Sequence, residues 1–158
     1  RAAAPAPRGG APPRSDRRGA PRHGRITMPL VPGVRAERRQ VVTAELTAHV
    51  LGNPGVHVFA TPFVVTLMEN TAVDAIAPHV PPGGSTVGTM IEMRHLAATP
   101  VGMAVRCVAE VVETDGRRVL LAVEAYDEVE KIAEGRHERF IVADLACFLE
   151  RAMRKGAR

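Results

Sequence analysis

Apolar residues alternate with polar ones through much of the second half of the chain, at the period-two spacing of a strand with one buried face. Met103, Val105, Cys107, Ala109 and Val111 fall at every second position, and Val119, Leu121, Val123 and Ala125 repeat the pattern. Segments 86–97, 103–112, 117–126 and 132–142 are therefore predicted as antiparallel strands. Asp115-Gly116 is a hairpin signal between two of them, and Thr99-Pro100-Val101-Gly102 marks another turn. The stretch RRQVVTAELTA, residues 38–48, alternates as well. With Val42, Ala44 and Leu46 on one face, it is predicted as an opening strand.

The period changes between that strand and the others. Thr61 followed by Pro62 suits an N-cap and first helical residue, and Pro78 with Pro81-Pro82-Gly83-Gly84 stops a helix near Ala77. Phe63, Val64, Val65, Leu67, Met68, Ala72, Val73, Ala75 and Ile76 leave that helix few polar sides, the pattern of a buried one. Thr66, Asn70 and Asp74 form an i, i+4 stripe, with Glu69 beside it. A strand, one buried helix and four further strands predict an α+β fold, an antiparallel sheet wrapped around a single long helix.

Composition changes this picture at the N-terminus. Residues 1–27 are rich in Ala, Pro, Gly and Arg, with seven arginines against Asp16, and are expected to be a disordered tail outside the fold. Met28, just ahead of the first patterned segment, is expected to be the natural start. The remaining chain carries fourteen basic and sixteen acidic side chains, so the domain at 28–150 is slightly acidic, followed by a basic tail at 151–158. A single domain is the expectation for 158 residues. No apolar run reaches membrane-spanning length and no secretory signal is present, so the expected location is cytoplasmic, with no membrane and no nucleic-acid partner. Cys107 and Cys147 have no partner spacing, and the six histidines form no ligand pattern. Reduced thiols, no metal and no cofactor are expected. Neither a Gly-rich phosphate loop nor a G-x-S-x-G elbow occurs.

Three blocks, VFATPFVVTLMEN (58–70), STVGTMIEMRHLAATPVGM (85–103) and EVEKIAEGRHERFIV (128–142), resemble in order and spacing those of the fluoroacetyl-CoA thioesterase group of hotdog-fold enzymes. The resemblance implies hydrolysis of a short acyl-CoA thioester by a homodimer, with dimers of dimers as a further level of assembly. It also implies a catalytic set of Thr61, Glu69 and His95, with Gly88 and Arg139 near the acyl or thioester site. The fluoroacetate-specific enzyme has a Phe-rich segment ahead of the central helix that lids the acyl pocket, where this chain has GNPGVHVFA with Phe59, a candidate for substrate binding, as its only aromatic ring. It also has a Trp after the helix Glu, where Asn70 stands here. Strong selectivity for a fluorinated acyl group is therefore not expected.

The residue types fit that chemistry. A buried Glu69 without a cation would have a raised pKa and could act as base or nucleophile toward a thioester carbonyl. Thr61 could present a hydroxyl at the positive end of a helix, and His95 could carry a proton near neutral pH. His137 reads as a sheet residue and Arg139 as an ion-pairing or substrate-positioning group. Arg94, Arg117 and Arg118 are candidates for the phosphates of coenzyme A. Two other readings stay open at this stage, a hotdog hydratase or dehydratase acting on enoyl or hydroxyacyl thioesters, and a noncatalytic acyl-CoA binding module.

Overall fold

The computed structural model describes residues 29–156. The expected tail at 1–27 and Met28 lie outside the described residues. Strand β1 (Arg35–Val41) leads through two short 3-10 turns (Ala44–Leu46 and Ala48–Leu51) to helix α1 (Thr61–Ile76). Strands β2 (Ser85–His95), β3 (Ala104–Asp115), β4 (Arg118–Tyr126) and β5 (Lys131–Val142) follow, and helix α2 (Leu145–Met153) comes last. The five strands form one antiparallel sheet in the order β1-β3-β4-β5-β2. It wraps around α1, the predicted arrangement.

The alternation seen in the sequence is the alternation of burial. Val105, Cys107, Ala109 and Val111 of β3 and Val119, Leu121, Val123 and Ala125 of β4 all point into the core, which they share with α1. The β3–β4 hairpin closes as Asp115 pairs with Arg118, and Gly116 supplies the positive φ, +58°, that the tight loop requires.

Helix α1 is buried on one side rather than all round. Val64, Leu67, Met68, Thr71, Ala72, Ala75 and Ile76 follow the i, i+3, i+4 spacing of a single face. Thr66 and Asn70 are exposed on the other side, while Asp74 pairs with Arg38 of β1. The buried Thr71 satisfies its hydroxyl by donating to the Leu67 carbonyl at 2.7 Å.

Three sequence expectations need correction. The opening strand ends at Val41, opposite Ala104, and its last backbone bonds run from Val42 to the turn before β3, with the Val42 N–H donating to the Met103 carbonyl at 2.9 Å and the Gly102 N–H to the Val42 carbonyl at 2.8 Å. The chain then coils into the 3-10 turns, where the Thr47 hydroxyl donates to the Ala44 carbonyl at 2.8 Å, a local bond that competes with the ladder. The N-cap of α1 is Ala60 and makes no side-chain cap, so Thr61 is the first helical residue. At the C-terminal end, α2 spans residues 145–153 and so continues past 150. Asp144 caps it by accepting the Cys147 N–H at 2.9 Å. Among the described residues no helix is long and apolar enough to cross a membrane.

Candidate active site

The first turn of α1 and the end of β2 bring two expected residues together. Because Thr61 does not cap the helix, its hydroxyl is available to His95, and Thr61 Oγ1 lies 2.9 Å from His95 Nδ1. The two side chains line a shallow cavity of about 340 Å³ with Leu96, Ala97 and Ala98. Burial pushes the His95 imidazole below its ordinary pKa of 6.5, while a hydrogen bond to the Ala97 backbone opposes that shift. The neutral ring is thus favoured, and in the tautomer with its proton on Nε2 its Nδ1 can accept the hydroxyl proton of Thr61. The other ring nitrogen, Nε2, is buried and has no close hydrogen-bond partner among the described residues.

Glu69 is not part of that pair. It lies eight residues beyond Thr61, roughly 12 Å along the helix axis, where β2 and β5 meet α1. There Arg139 donates from Nη1 to Glu69 Oε1 at 3.1 Å. The guanidinium is almost fully buried, with 4% of its side chain exposed, whereas the Glu69 side chain is 46% exposed. The sequence expectation of a carboxylate buried without a cation is therefore overturned. A cation is present, contributed from 70 residues away in sequence.

Arg139 is itself held on every side. Its Nε donates to Thr86 Oγ1 and its Nη2 to the Thr86 carbonyl, both at 3.0 Å, and Nη1 also approaches His137 Nε2 at 3.0 Å. The far side of the His137 ring meets the Met90 carbonyl, with Nδ1 at 2.8 Å. Gly88 completes the cluster at a β-bulge in β2. A Cβ there would stand 3.0 Å from Glu69 Oε1 and 3.1 Å from His137 Cε1, so glycine is what lets the carboxylate reach the strand.

The remaining candidates fall elsewhere. Phe59 is 1% exposed within the hydrophobic core, and Thr47 forms a β-bridge with it. Arg118 pairs with Glu113, Asp115 and Glu138, and Arg117 stacks over the Phe140 ring at 5.0 Å. Arg94 borders a groove of about 440 Å³ together with Glu92, Glu124, Glu134 and Arg136. Cys107 is buried and its thiol is pushed up to about 11, which suits an inert core position.

His137 and Thr86 were not singled out by sequence reasoning as parts of a site. The available signal was position: residues 137 and 139 share the inward face of β5, where an imidazole and a guanidinium must find partners.

The fluoroacetyl-CoA-specific thioesterase family model matches residues 42–144. The fluoroacetyl-CoA thioesterase of Streptantibioticus cattleyicolor is 46% identical over 85 residues, which make up 54% of this chain and 61% of that protein. The match therefore spans about three-fifths of that relative's length. A crystal structure of a point mutant of the fluoroacetyl-CoA-specific thioesterase FlK superposes with a TM-score of 0.76 at 36% identity, covering 81% of this chain and 98% of that one. A Thermus thermophilus hypothetical protein, a thioesterase superfamily member, gives 0.73 at 37% identity, covering 82% and 98%. A hot-dog-like protein from Thermanaerovibrio acidaminovorans, at 23% identity and a TM-score of 0.73 over 78% and 91% of the two chains, shares the fold. The wrapped helix is thus a hotdog fold, and the chain belongs to the fluoroacetyl-CoA-specific thioesterase family.

Proposed function

We propose that this protein hydrolyses a short acyl-CoA thioester to the free acid and coenzyme A. The observation that carries the reading is the Thr61–His95 pair, a hydroxyl 2.9 Å from an imidazole kept neutral by burial, at the N-terminus of a helix and beside an open cavity. Similarity to fluoroacetyl-CoA thioesterases over most of the domain supports the substrate class. In this reading His95 accepts the Thr61 proton as the hydroxyl oxygen bonds to the thioester carbon, and the same proton passes to the sulfur as the C–S bond breaks. Water then cleaves the acyl ester. Glu69, with one oxygen held by Arg139, supplies the carboxylate that binds and activates that water. The positive end of α1 favours the oxyanion that develops on the carbonyl.

The distance between Thr61 and Glu69 supports a dimer. Strand β2 is one edge of the sheet, eleven residues long, with Met90 and Ile91 exposed, whereas the opposite edge, β1, is lined with exposed charges. Two β2 strands paired antiparallel about an axis near Ile91 would set His95 of one subunit beside the partner's Gly88. That pairing would join the Thr61–His95 pair to the partner's Glu69. The protein is read as cytoplasmic, with the segment at 1–27 outside the working domain.

The deciding experiment is a panel of short acyl-CoAs with released coenzyme A quantified by chromatography. Turnover with at least one of them is expected. No release above the uncatalysed rate from any, or hydration of an enoyl-CoA without release of thiol, would overturn the reading.

A further inference from the structure

The cluster around Arg139 contains a buried titratable group that the proposed chemistry does not use. His137 is 2% exposed, and each of its ring nitrogens faces a partner of fixed character. The Met90 carbonyl, 2.8 Å from Nδ1, can only accept, so Nδ1 carries the proton. Arg139 Nη1, 3.0 Å from Nε2, can only donate, so Nε2 must present its lone pair. Both contacts are satisfied by one neutral tautomer and by no other state of the ring. The same Arg139 nitrogen then donates to Glu69 Oε1 at 3.1 Å.

We propose that His137 is a positioning residue for the Glu69 carboxylate, acting through Arg139. This rests on the reading above, in which Glu69 takes part in the reaction. Donation runs from Nδ1 of His137 to the Met90 carbonyl on β2, and from Arg139 both to the His137 ring and to Glu69 on α1. One imidazole thus ties the edge strand, the guanidinium and the carboxylate into a single arrangement. A second proton on the ring would place Nε2–H against the Arg139 N–H groups and a positive ring beside a positive guanidinium. The guanidinium would then withdraw, and Glu69 with it.

The charged groups facing the ring are Arg139 on its own strand and Glu69 from α1. The neighbouring residues in register, Ile91 on β2 and Leu121 on β4, are apolar. Burial, chiefly, together with Arg139 holds the ring below its ordinary pKa of 6.5, against the opposing influence of Met90 and Glu69, which agrees with a ring built to stay neutral. Catalysis then requires two neutral imidazoles in this chain, His95 as proton acceptor and His137 as the anchor of Arg139.

The test uses the full chain with His137→Phe, which keeps an aromatic ring and removes both hydrogen bonds, and His137→Gln, whose amide oxygen can still accept from Arg139. His137→Phe is expected to lower kcat by about ten- to a hundredfold, the scale of loss when a reacting group is displaced by about an ångström, with KM falling in step because the acyl ester then accumulates. His137→Gln should recover most of the rate. The acid limb of log kcat, which includes the water-cleavage step, should be steeper by one unit of limiting slope in the native protein than in His137→Gln. A folded His137→Phe with native kcat, or an unchanged limiting slope in His137→Gln, overturns the inference. If His137→Phe does not fold, the slope in His137→Gln decides alone. Should Glu69→Gln retain full turnover, the parent reading fails instead. Loss in Glu69→Gln beside native behaviour in both His137 variants would sink this inference alone.

Discussion

At the residue scale, Glu69 is the side chain whose surroundings in the structure differ most from what the sequence suggested. The type and place of this glutamate were visible in the VFATPFVVTLMEN block, but its cation was not, because Arg139 lies 70 residues away and no local pattern joins them. Glu69→Gln keeps the shape and the contact to Arg139 while removing the charge. It is expected to lower kcat by at least ~10²-fold with the protein still folded, as measured by coenzyme A release beside a melting curve. Near-native release would remove Glu69 from the reaction. Gly88 gives a second test of the same group. Gly88→Ala would place a methyl 3.0 Å from Glu69 Oε1, and the half-exposed carboxylate is the partner most able to move. A rate loss of about tenfold or more, with a melting temperature close to native, is expected. A large fall in melting temperature with no specific loss of rate would show that the bulge, rather than the carboxylate, needs the glycine.

At the scale of elements, the period-two positions of β3 and β4 were legible because these strands bury one face, so every second side chain reports its direction. The start of α1 was misread for an equally physical reason. A Thr before a Pro has the chemistry of a cap, yet the residue with extended backbone angles at that point is Ala60, and the Thr61 hydroxyl turns to His95 instead. Helix α2 escaped notice because it is only nine residues long. Its signals were an Asp at position 144 and apolar residues at 145, 148 and 149. The altered role of Thr61 has a measurable consequence. Thr61→Ala removes one exposed hydrogen bond, about 0.5–1.5 kcal/mol, and the better helix propensity of Ala offsets part of that. Its melting temperature should therefore fall by no more than ~3 °C, while kcat falls by ~10²-fold. Thr61→Ser should restore most of the rate. If Thr61→Ser is as slow as Thr61→Ala, the hydroxyl is not the active feature.

At the scale of the whole molecule, two features bear on what the protein accepts and how it assembles. The segment ahead of α1 has Phe59 as its only aromatic ring, and that ring is buried in the core. Fluoroacetyl-CoA is therefore expected to be turned over with less than a hundredfold advantage in kcat/KM over acetyl-CoA, on the order of ~2.7 kcal/mol in transition-state binding. Competition between the two substrates in one reaction measures the ratio directly. A larger ratio would require discrimination by groups other than a ring lid.

Assembly is the larger question, because the Thr61–His95 pair and the Glu69 cluster lie at different turns of α1 and must be joined if they share a substrate. A free edge with exposed Met90 and Ile91 is a template for pairing with a second chain, and a lysine on such an edge is a common guard against it. Ile91→Lys places that guard at the centre of β2 without altering any residue of the two clusters. The variant is expected to keep the native circular dichroism spectrum, to scatter light as a monomer at concentrations where the parent is expected to scatter as the proposed dimer, and to lose nearly all turnover. The separate losses of Glu69→Gln and Thr61→Ala should partly reverse when those two chains, each lacking a different half of the site, are mixed. A hybrid dimer of those two carries one intact site and should regain up to about half of the native rate per hybrid. Full activity in monomeric Ile91→Lys, or no recovery in the mixed chains, would place the working site within a single subunit.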